Sequence, residues 1–334
     1  MSERLDTTRL QRMARAYAES AVLWAALDLA LFRHVADGAG TIDELAAATG
    51  IRPLNARRLV DCCAGLDLLR YDDGGRIVNS PEAAQFLVEG DDRFAGPWMQ
   101  FTRPDVEGWM SLTERLRSPE PPQRLGMYAD LTVEQARSYH RATASIGRGA
   151  GRRFVRQVDL GRRTRLLDLG GGSGPYAIEA ALAHPGLRAV VFDLPPVAVV
   201  CREYLAAAGV ADRVEAVGGD FTADPLPDGC DVAVMASNLP IYSADVIGEV
   251  VARAFDALVP GGEFHLIGEM LHDDGMGPLD AALWGMQEIL YGSGGQAHRR
   301  AQVIGYLAAA GFRDVTAHDF VPGVLVRVTG MKPG

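Results

Sequence analysis

The stretch Leu166-Leu167-Asp168-Leu169-Gly170-Gly171-Gly172-Ser173-Gly174 reads as a buried β-strand that runs directly into a glycine loop. Glycine has no Cβ atom, so such a loop turns sharply and lets the backbone approach a ligand closely. The helix that follows would present free N–H groups and the positive end of its dipole to the same place. The stretch therefore predicts that a nucleoside cofactor binds where this strand ends.

Two further strand ends carry residues that suit the same ligand. The apolar run 189–192 ends at Asp193, whose carboxylate can accept hydrogen bonds from both ribose hydroxyls, with Leu194 next to it. The run 214–217 is followed by Asp220 and Phe221, which offer a carboxylate and an aromatic face to an adenine ring. We expect these three strand ends to converge on one cofactor.

The spacing of the glycines bears on which cofactor is bound. A dinucleotide site has the pattern GxGxxG, with its third glycine at the position where helix and strand pack. Pro175 occupies that position here. The GxGxG form, together with the two downstream acids, resembles the S-adenosylmethionine (SAM) site of class I methyltransferases. SAM is therefore the predicted cofactor, and S-adenosylhomocysteine the product.

Composition limits the classes of partner. The chain has 334 residues, 48% of them hydrophobic and 23% charged, which is typical of a globular protein. Its net charge of −10 disfavours nucleic acid, because that binding depends on clustered positive charge. The apolar segment 21–32 is too short to span a bilayer and contains Asp28, so no membrane association is expected. The N-terminus shows no secretory signal, which predicts a cytoplasmic protein acting on small molecules.

The first hundred residues predict a mostly helical domain. Residues 10–35 have apolar positions on nearly every face of a helix, which indicates burial on both sides, either by the rest of this domain or by a second subunit in a dimer. Thr41 and Gly50 have the pattern of the N-cap and C-terminal glycine of a helix, and another helix follows Pro53. Residues 71–78 read as a hairpin, which completes a winged helix. DNA binding is disfavoured because the second helix offers only two arginines near its start.

From Gly161 onward, strand and helix patterns alternate, which predicts a parallel sheet with crossover helices. Residues 231–235 and 263–267 read as strands, and residues 245–258 read as the helix between them. Ligands of such sheets bind beyond the carboxyl ends of the strands. Ser237, Asn238 and Glu269 follow two of those ends, so we expect them to face the cofactor.

With these motifs and the Val259-Pro260-Gly261-Gly262 turn, nearly the whole chain resembles the small-molecule O-methyltransferases of bacterial natural-product and plant phenolic pathways. The resemblance implies an α/β fold: a Rossmann-like class I methyltransferase sheet with an N-terminal, mostly α-helical winged-helix dimerisation domain. It implies a dimerisation domain over residues 1–100, a helical connector at the substrate pocket over 101–155, and a SAM-binding domain over 156–334. It also implies a homodimer in secondary metabolism.

The resemblance also implies roles for individual residues. The residues expected to bind the cofactor are Asp168, Gly170, Gly172, Gly174, Asp193, Leu194, Asp220, Phe221 and Ser237. The residues expected to bind the acceptor are Trp98, Trp109, Met127, Tyr139, Thr143, Asn238 and Trp284. For any one of these aromatic residues, an ordinary place in the core is an equally good interpretation.

The catalytic positions depart from the family pattern. Relatives carry a general-base histidine where this chain has Pro240, and a glutamate where it has Ala297. The candidates for a replacement base are His298, Glu288, Glu269, His140 and His272. Glu288 stands in an apolar segment, so we hypothesise that it binds an amine or guanidine of the substrate, or acts as the base. No metal site is expected, because Pro240 removes a ligand and the four cysteines lack metal-binding spacing.

The missing histidine leaves several functions open. The leading prediction is methyl transfer from SAM to a small-molecule acceptor, with oxygen favoured over nitrogen. The alternatives are transfer to carbon or nitrogen of an amino-acid-like or 2-oxo acid substrate, and a SAM-fold protein with a non-methylating or regulatory role.

Overall fold

The computed structural model describes residues 5–91 and 93–334. The chain forms two compact units, Met1–Arg103 and Pro104–Gly334. This single division falls close to the predicted end of the first domain, and the segment predicted as a connector lies almost wholly inside the second unit. The three-domain boundaries drawn from the sequence stay predictions.

The first unit is mostly helical. Its helices are α1 (Thr8–Arg15), α2 (Tyr17–Asp28), α3 (Leu31–Ala36), α4 (Ile42–Thr49), α5 (Pro53–Gly65), α6 (Pro81–Phe86) and α7 (Gly96–Phe101). Strands β1 (Leu69–Tyr71) and β2 (Ile77–Asn79) form the predicted antiparallel hairpin. Its core contains Phe32, Leu45, Val60 and Leu69, all buried.

Local sequence signals at α4 are confirmed, whereas the single helix predicted over residues 10–35 is wrong. Thr41 forms a capping box with Glu44, and Gly50 ends the helix at a φ of 71°. Three helices replace the predicted one. Ala30 between α2 and α3 has a φ of 48°, a left-handed conformation that breaks the helix without glycine or proline.

The second unit is an α/β domain. Its helices are α8 (Val106–Met110), α9 (Leu112–Leu116), α10 (Val133–Gln157), α11 (Pro175–Ala183), α12 (Pro195–Ala207), α13 (Ala244–Ala257), α14 (Leu279–Gln287) and α15 (Arg300–Ala310). Its strands are β3 (Arg165–Leu169), β4 (Arg188–Asp193), β5 (Val214–Gly218), β6 (Cys230–Ala236), β7 (Leu258–Gly268), β8 (Met270–Leu271), β9 (His298–Arg299), β10 (Arg313–Val321) and β11 (Leu325–Met331).

Seven of these strands form one sheet in the order β10-β11-β7-β6-β3-β4-β5. The five strands from β7 to β5 are parallel, as predicted, while β11 runs antiparallel to both β7 and β10. Chain order reverses between β3 and β6, and ligands of open α/β sheets bind at such a switch point. The glycine loop after β3 lies there.

The centre of the sheet is buried on both faces, whereas the edge strand β10 is mostly exposed. Leu167 and Phe264 pack in one core layer, and Leu166 and Val191 pack in the other. Burial on both sides explains why the strands are continuous apolar runs in the sequence. The same burial holds the carboxyl ends of the strands in place, and the candidate site residues lie at or just after those ends. No helix within the described parts of the chain is long and apolar enough to cross a membrane.

Candidate cofactor and acceptor site

The glycine loop depends on a left-handed backbone. Gly170, Gly172 and Gly174 have φ values of 62°, 59° and 75°, which only glycine adopts without strain. The Gly170 N–H donates to the carbonyl of Phe192 on β4 over 2.8 Å. Pro175 begins α11, where its missing N–H costs nothing. The loop therefore leads from β3 into α11 as the sequence predicts.

Three side chains pack closely on this loop. A Cβ atom on Gly172 would lie 2.7 Å from Cε1 of His140, which belongs to α10. A Cβ atom on Gly170 would lie 2.5 Å from Nδ2 of Asn238, and one on Gly171 would lie 2.5 Å from Cγ of Asp168. Any side chain in the loop would displace one of these neighbours.

Asp193 is fixed at the edge of the loop. Its Oδ2 atom accepts a hydrogen bond from the Gly172 N–H over 2.8 Å, and its Oδ1 atom accepts one from the Leu194 N–H over 2.7 Å. Burial raises the pKa of Asp193 to about 6, and the two backbone hydrogen bonds oppose that rise. Each carboxylate oxygen keeps acceptor capacity for a further donor.

Asp168 lies beneath the loop and is completely buried. Its Oδ2 atom accepts a hydrogen bond from the Ala177 N–H of α11 over 3.3 Å. Its Oδ1 atom has no hydrogen-bond partner within residues 5–91 and 93–334, and burial raises its pKa to about 7. An unpaired buried carboxylate oxygen is costly, so the site suits a ligand that carries positive charge.

Asp220 and Phe221 follow β5 on the other side of the loop. The Oδ1 atom of Asp220 accepts hydrogen bonds from the N–H and hydroxyl of Thr222, over 2.8 and 2.6 Å. Phe221 is buried, and its Cε1 atom is 2.9 Å from where a Cβ on Gly170 would lie. Arg124, which sequence reasoning missed, donates to the carbonyl and the hydroxyl of Thr222 over 2.7 Å each.

The two residues after β6 differ in their surroundings. Ser237 is exposed and has a φ of 59°, a conformation rare outside glycine. Asn238, predicted to bind the acceptor, donates from Nδ2 to the carbonyls of Ala236 and Gly170 over 3.0 and 3.1 Å. Its amide N–H groups therefore support the loop rather than point to an acceptor.

Tyr139, predicted to bind the acceptor, is the neighbour of His140 on α10. The hydroxyl of Tyr128 lies 3.5 Å from that of Tyr139. Burial raises the pKa of Tyr139, and the nearby carboxylates of Asp193, Glu288 and Glu269 raise it further. The structure therefore places this phenol among one predicted cofactor carboxylate and two predicted catalytic ones.

Glu269 and Glu288 are carboxyl groups with perturbed protonation. Burial raises the pKa of each to about 7, although a hydrogen bond from Ser293 opposes the rise at Glu288. Glu269 directly follows β7 and also raises the pKa of Tyr176, near the start of α11. Glu288 directly follows α14. Burial raises the pKa values of Tyr128 and Tyr242, and the charge of Glu288 raises both of them further. The charge of Glu269 thus influences the pKa of a residue near the start of α11, where the glycine loop ends.

The candidate histidines have different surroundings. His298 is fully buried, with Nε2 3.0 Å from the carbonyl oxygen of Tyr242 and Nδ1 3.1 Å from the hydroxyl of Tyr306. Both of its nitrogens are therefore occupied. His140 is buried against the loop, and burial lowers its pKa to about 4. His272 is exposed.

Pro240, at the position of the family histidine, lies in the 3-10 turn Leu239–Ile241 and is buried. The Gly295 backbone packs against it, since a Cβ there would lie 2.1 Å from the Pro240 carbonyl oxygen. This turn therefore supplies no proton acceptor from a side chain.

The other predicted acceptor residues are less constrained. Trp109 on α8, Thr143 on α10 and Trp284 on α14 are half-buried in the second unit, and Met127 is exposed. Trp98 lies in the first unit, where its ring stacks on Phe101 at 5.4 Å. No group of three or more His, Cys, Asp or Glu side chains in the described chain could hold a metal ion.

Comparison with known proteins identifies the family. The model of the O-methyltransferase domain matches residues 127–313, and the model of the O-methyltransferase dimerisation domain matches residues 11–90. The chain belongs to the O-methyltransferase family. This methyltransferase uses SAM and acts on small molecules, and its N-terminal region is a dimerisation domain. The unpaired Asp168 oxygen and the glycine loop fit SAM, which is a cation at its sulfonium.

Individual relatives of this methyltransferase act on different atoms. A 3-hydroxy-5-methyl-1-naphthoate 3-O-methyltransferase of Streptomyces sahachiroi is 33% identical over 97% of this chain and 95% of its own length. The N,N-dimethyltransferase OxyT of Streptomyces rimosus is 33% identical over 76% of this chain and 75% of its own. The structure of human N-acetylserotonin methyltransferase with SAM covers 100% of this chain and 99% of its own, with a TM-score of 0.83 and 24% identity. That last likeness supports the fold.

Proposed function

We propose that this methyltransferase transfers the methyl group to a hydroxyl oxygen of a small aromatic acceptor in natural-product metabolism, with Glu269 as the general base. When bound, SAM supplies a methyl group activated by its sulfonium for in-line displacement. The relative from Streptomyces sahachiroi, whose name describes transfer to an aromatic hydroxyl, supports oxygen as the acceptor atom.

The cofactor would be held by residues from three strand ends. Asp193 would accept the ribose hydroxyls, with Leu194 beside it. Asp220 and Phe221 would contact the adenine. The loop glycines Gly170, Gly172 and Gly174, with Ser237, would admit the rest of the cofactor, and Asp168 would face its positive charge. The close packing of Asn238 and His140 on the loop would keep this shape.

The observation that carries the proposed base is the environment of Glu269. A phenol has a pKa near 10, so a positioned base contributes on the order of 100-fold or more to its methylation. Glu269 has a pKa of about 7, raised by burial, and lies near both Tyr139 and the helix that follows the loop. A carboxylate there can take the proton that the missing histidine takes in relatives.

The experiment for oxygen transfer uses SAM labelled in its methyl group and a panel of phenols, aromatic amines and 2-oxo acids. We expect label in the ether product of at least one phenol, identified by mass spectrometry. Products labelled only at nitrogen or carbon would contradict oxygen transfer, and SAM binding without any product would contradict Glu269 catalysis as well. Transfer to nitrogen is the second candidate, favoured by the similarity to OxyT.

We also propose a cytoplasmic homodimer. In the first unit, α1 carries Leu10 and Met13 with exposed fractions of 54% and 59%, and Tyr17 at the start of α2 is 65% exposed. Exposed apolar side chains in such a row are typical of an interface between chains. The four cysteines, all free thiols, accord with a reducing compartment.

A further inference from the structure

Glu288 is a buried carboxylate, and no ion pair to it occurs within residues 5–91 and 93–334. Its exposed fraction is 4%, and its Oε2 atom accepts a hydrogen bond from the Ser293 hydroxyl. The Ser293 oxygen in turn accepts from the Gly295 N–H over 3.0 Å. A carboxylate has about four lone-pair sites, so Glu288 keeps acceptor capacity for a ligand.

The segment that carries Glu288 is anchored on both sides. Gln287 donates from Nε2 to the Oδ2 atom of Asp105 over 3.0 Å, and the Tyr291 hydroxyl donates to the same oxygen over 2.9 Å. The backbone N–H of Ser293 also donates to the carbonyl of Glu288 over 3.0 Å. These bonds hold Glu288 at a fixed place, as a binding residue requires.

Two buried phenols, Tyr128 and Tyr139, interact electrostatically with Glu288. Burial raises the pKa of Tyr128 well above its usual value, and Tyr139 and Glu288 raise it further. Burial raises the pKa of Tyr139, and the carboxylates of Asp193, Glu288 and Glu269 raise it further. A buried carboxylate is stable only if it is protonated or meets a cation. Phenol oxygens and aromatic faces next to it favour a cation.

We infer that Glu288 binds a protonated amine of the acceptor, so that the acceptor of this enzyme is a hydroxylated aromatic amine. This inference rests on the proposed function, because it gives the two carboxylates separate tasks. Glu269, near the helix that follows the glycine loop, takes the hydroxyl proton. Glu288, beside Tyr128, holds the amine. Tyr139, influenced by both carboxylates, would contact the ring between them.

The cation of SAM does not account for Glu288. Asp168 carries the unpaired buried oxygen directly beneath the loop, and Gly171 is in contact with it. Glu288 is instead bonded to Ser293, and the segment around Ser293 packs against other residues: a Cβ atom on Gly126 would lie 2.8 Å from Cβ of Ser293, and one on Gly295 would lie 2.1 Å from the carbonyl oxygen of Pro240. A role in acceptor selection therefore fits Glu288 better than a role in cofactor binding.

The test compares two probes that differ only in the amine, tyramine and 4-ethylphenol. Their affinities for the full-length protein saturated with S-adenosylhomocysteine are measured by calorimetry. We expect tyramine to bind about 10- to 100-fold more tightly, because hydrogen bonds to charged groups are worth that much in affinity. In Glu288→Gln this preference should disappear while the affinity for 4-ethylphenol stays within about twofold. Glu249→Gln, which alters an exposed carboxylate of α13, should keep the preference.

Three outcomes would overturn the inference. They are equal or undetectable binding of tyramine to the wild type, an unchanged preference in Glu288→Gln, and a loss of SAM affinity in Glu288→Gln that leaves the preference intact. Unchanged binding of S-adenosylhomocysteine to Glu288→Gln shows that the variant is folded. The proposed function fails separately: a preference for tyramine without ether formation from any phenol would retain the amine site and reject oxygen transfer.

Discussion

His298 and Glu269 are both titratable residues of the second unit, but both ring nitrogens of His298 are already in hydrogen bonds. The Nε2 atom of His298 faces a carbonyl and must donate, so its Nδ1 atom accepts from the Tyr306 hydroxyl. Burial lowers the pKa of this histidine, which keeps the imidazole neutral. His298 therefore links β9 to the segment after β6 and to α15, and it is a poor candidate for the base.

Replacing this histidine should affect stability rather than the pH dependence of catalysis. In His298→Ala we expect the free energy of unfolding to fall by about 1–3 kcal/mol, because two buried hydrogen-bonding groups lose their partner. Urea denaturation measures this loss, and the exposed His272→Ala is the control, with an expected change below about 0.5 kcal/mol. A stable His298→Ala protein whose rate no longer depends on pH would assign the base to His298 instead.

At the scale of elements, the glycine loop leaves little room for any side chain larger than hydrogen. Gly172→Ala would place a methyl group in a left-handed backbone and 2.7 Å from His140. We expect the affinity for S-adenosylhomocysteine, measured by calorimetry, to fall more than about tenfold, because the added methyl group would displace either His140 or the loop that forms the site.

Gly209→Ala is the matched control for that variant. Gly209 also has a positive φ, 68°, but a Cβ atom there would meet nothing within 4 Å. Both variants carry the backbone strain, and only Gly172→Ala crowds the site. Equal losses of affinity in the two variants, or no loss in Gly172→Ala, would contradict the role given to the loop.

The elements that the sequence predicted well are those whose signal is local. Strands β3, β4 and β6 are buried on both faces and so appear as apolar runs, and the capping residues Thr41 and Gly50 mark α4 by their own chemistry. The break at Ala30 has no such signal, because alanine normally favours helix. Its left-handed backbone depends on the tertiary packing around it.

The site was predictable only in part for a similar reason. The strand ends and glycines predict that the candidate cofactor residues lie together, and Asp193 and Phe221 do lie against the glycine loop, because topology brings the carboxyl ends of parallel strands together. The partners of individual side chains were not predictable. The amide of Asn238 binds loop carbonyls, Arg124 reaches Thr222 across 98 residues of sequence, and His298 has both nitrogens occupied. Contacts between residues so distant in sequence leave no periodic pattern.

At the scale of the whole molecule, the dimerisation domain predicts the association state. Sedimentation equilibrium at micromolar concentration should give twice the mass of one chain. Met13→Glu should shift the equilibrium towards monomer, because it places a charge among the exposed apolar residues of α1. Glu82→Gln on α6, in the same unit, should leave the mass unchanged. A wild-type protein that stays monomeric at this concentration would contradict the proposed dimer.

At the scale of the whole molecule, we propose that the Glu269 carboxylate at the end of β7 takes the role that a histidine has in relatives, where this chain has Pro240. The most direct test is the pH dependence of kcat/KM for transfer of labelled methyl from SAM to a neutral phenol, which leaves Glu288 out of the comparison. A base with a pKa of about 7 is protonated at lower pH. We therefore expect kcat/KM to fall about tenfold per pH unit below 7 and to level off above it.

In Glu269→Gln we expect a rate lower by about 100-fold or more and no plateau near pH 7, with binding of S-adenosylhomocysteine retained. Glu249→Gln should reproduce the wild-type profile. A Glu269→Gln enzyme with the wild-type rate and the same pH profile would show that Glu269 is not the base.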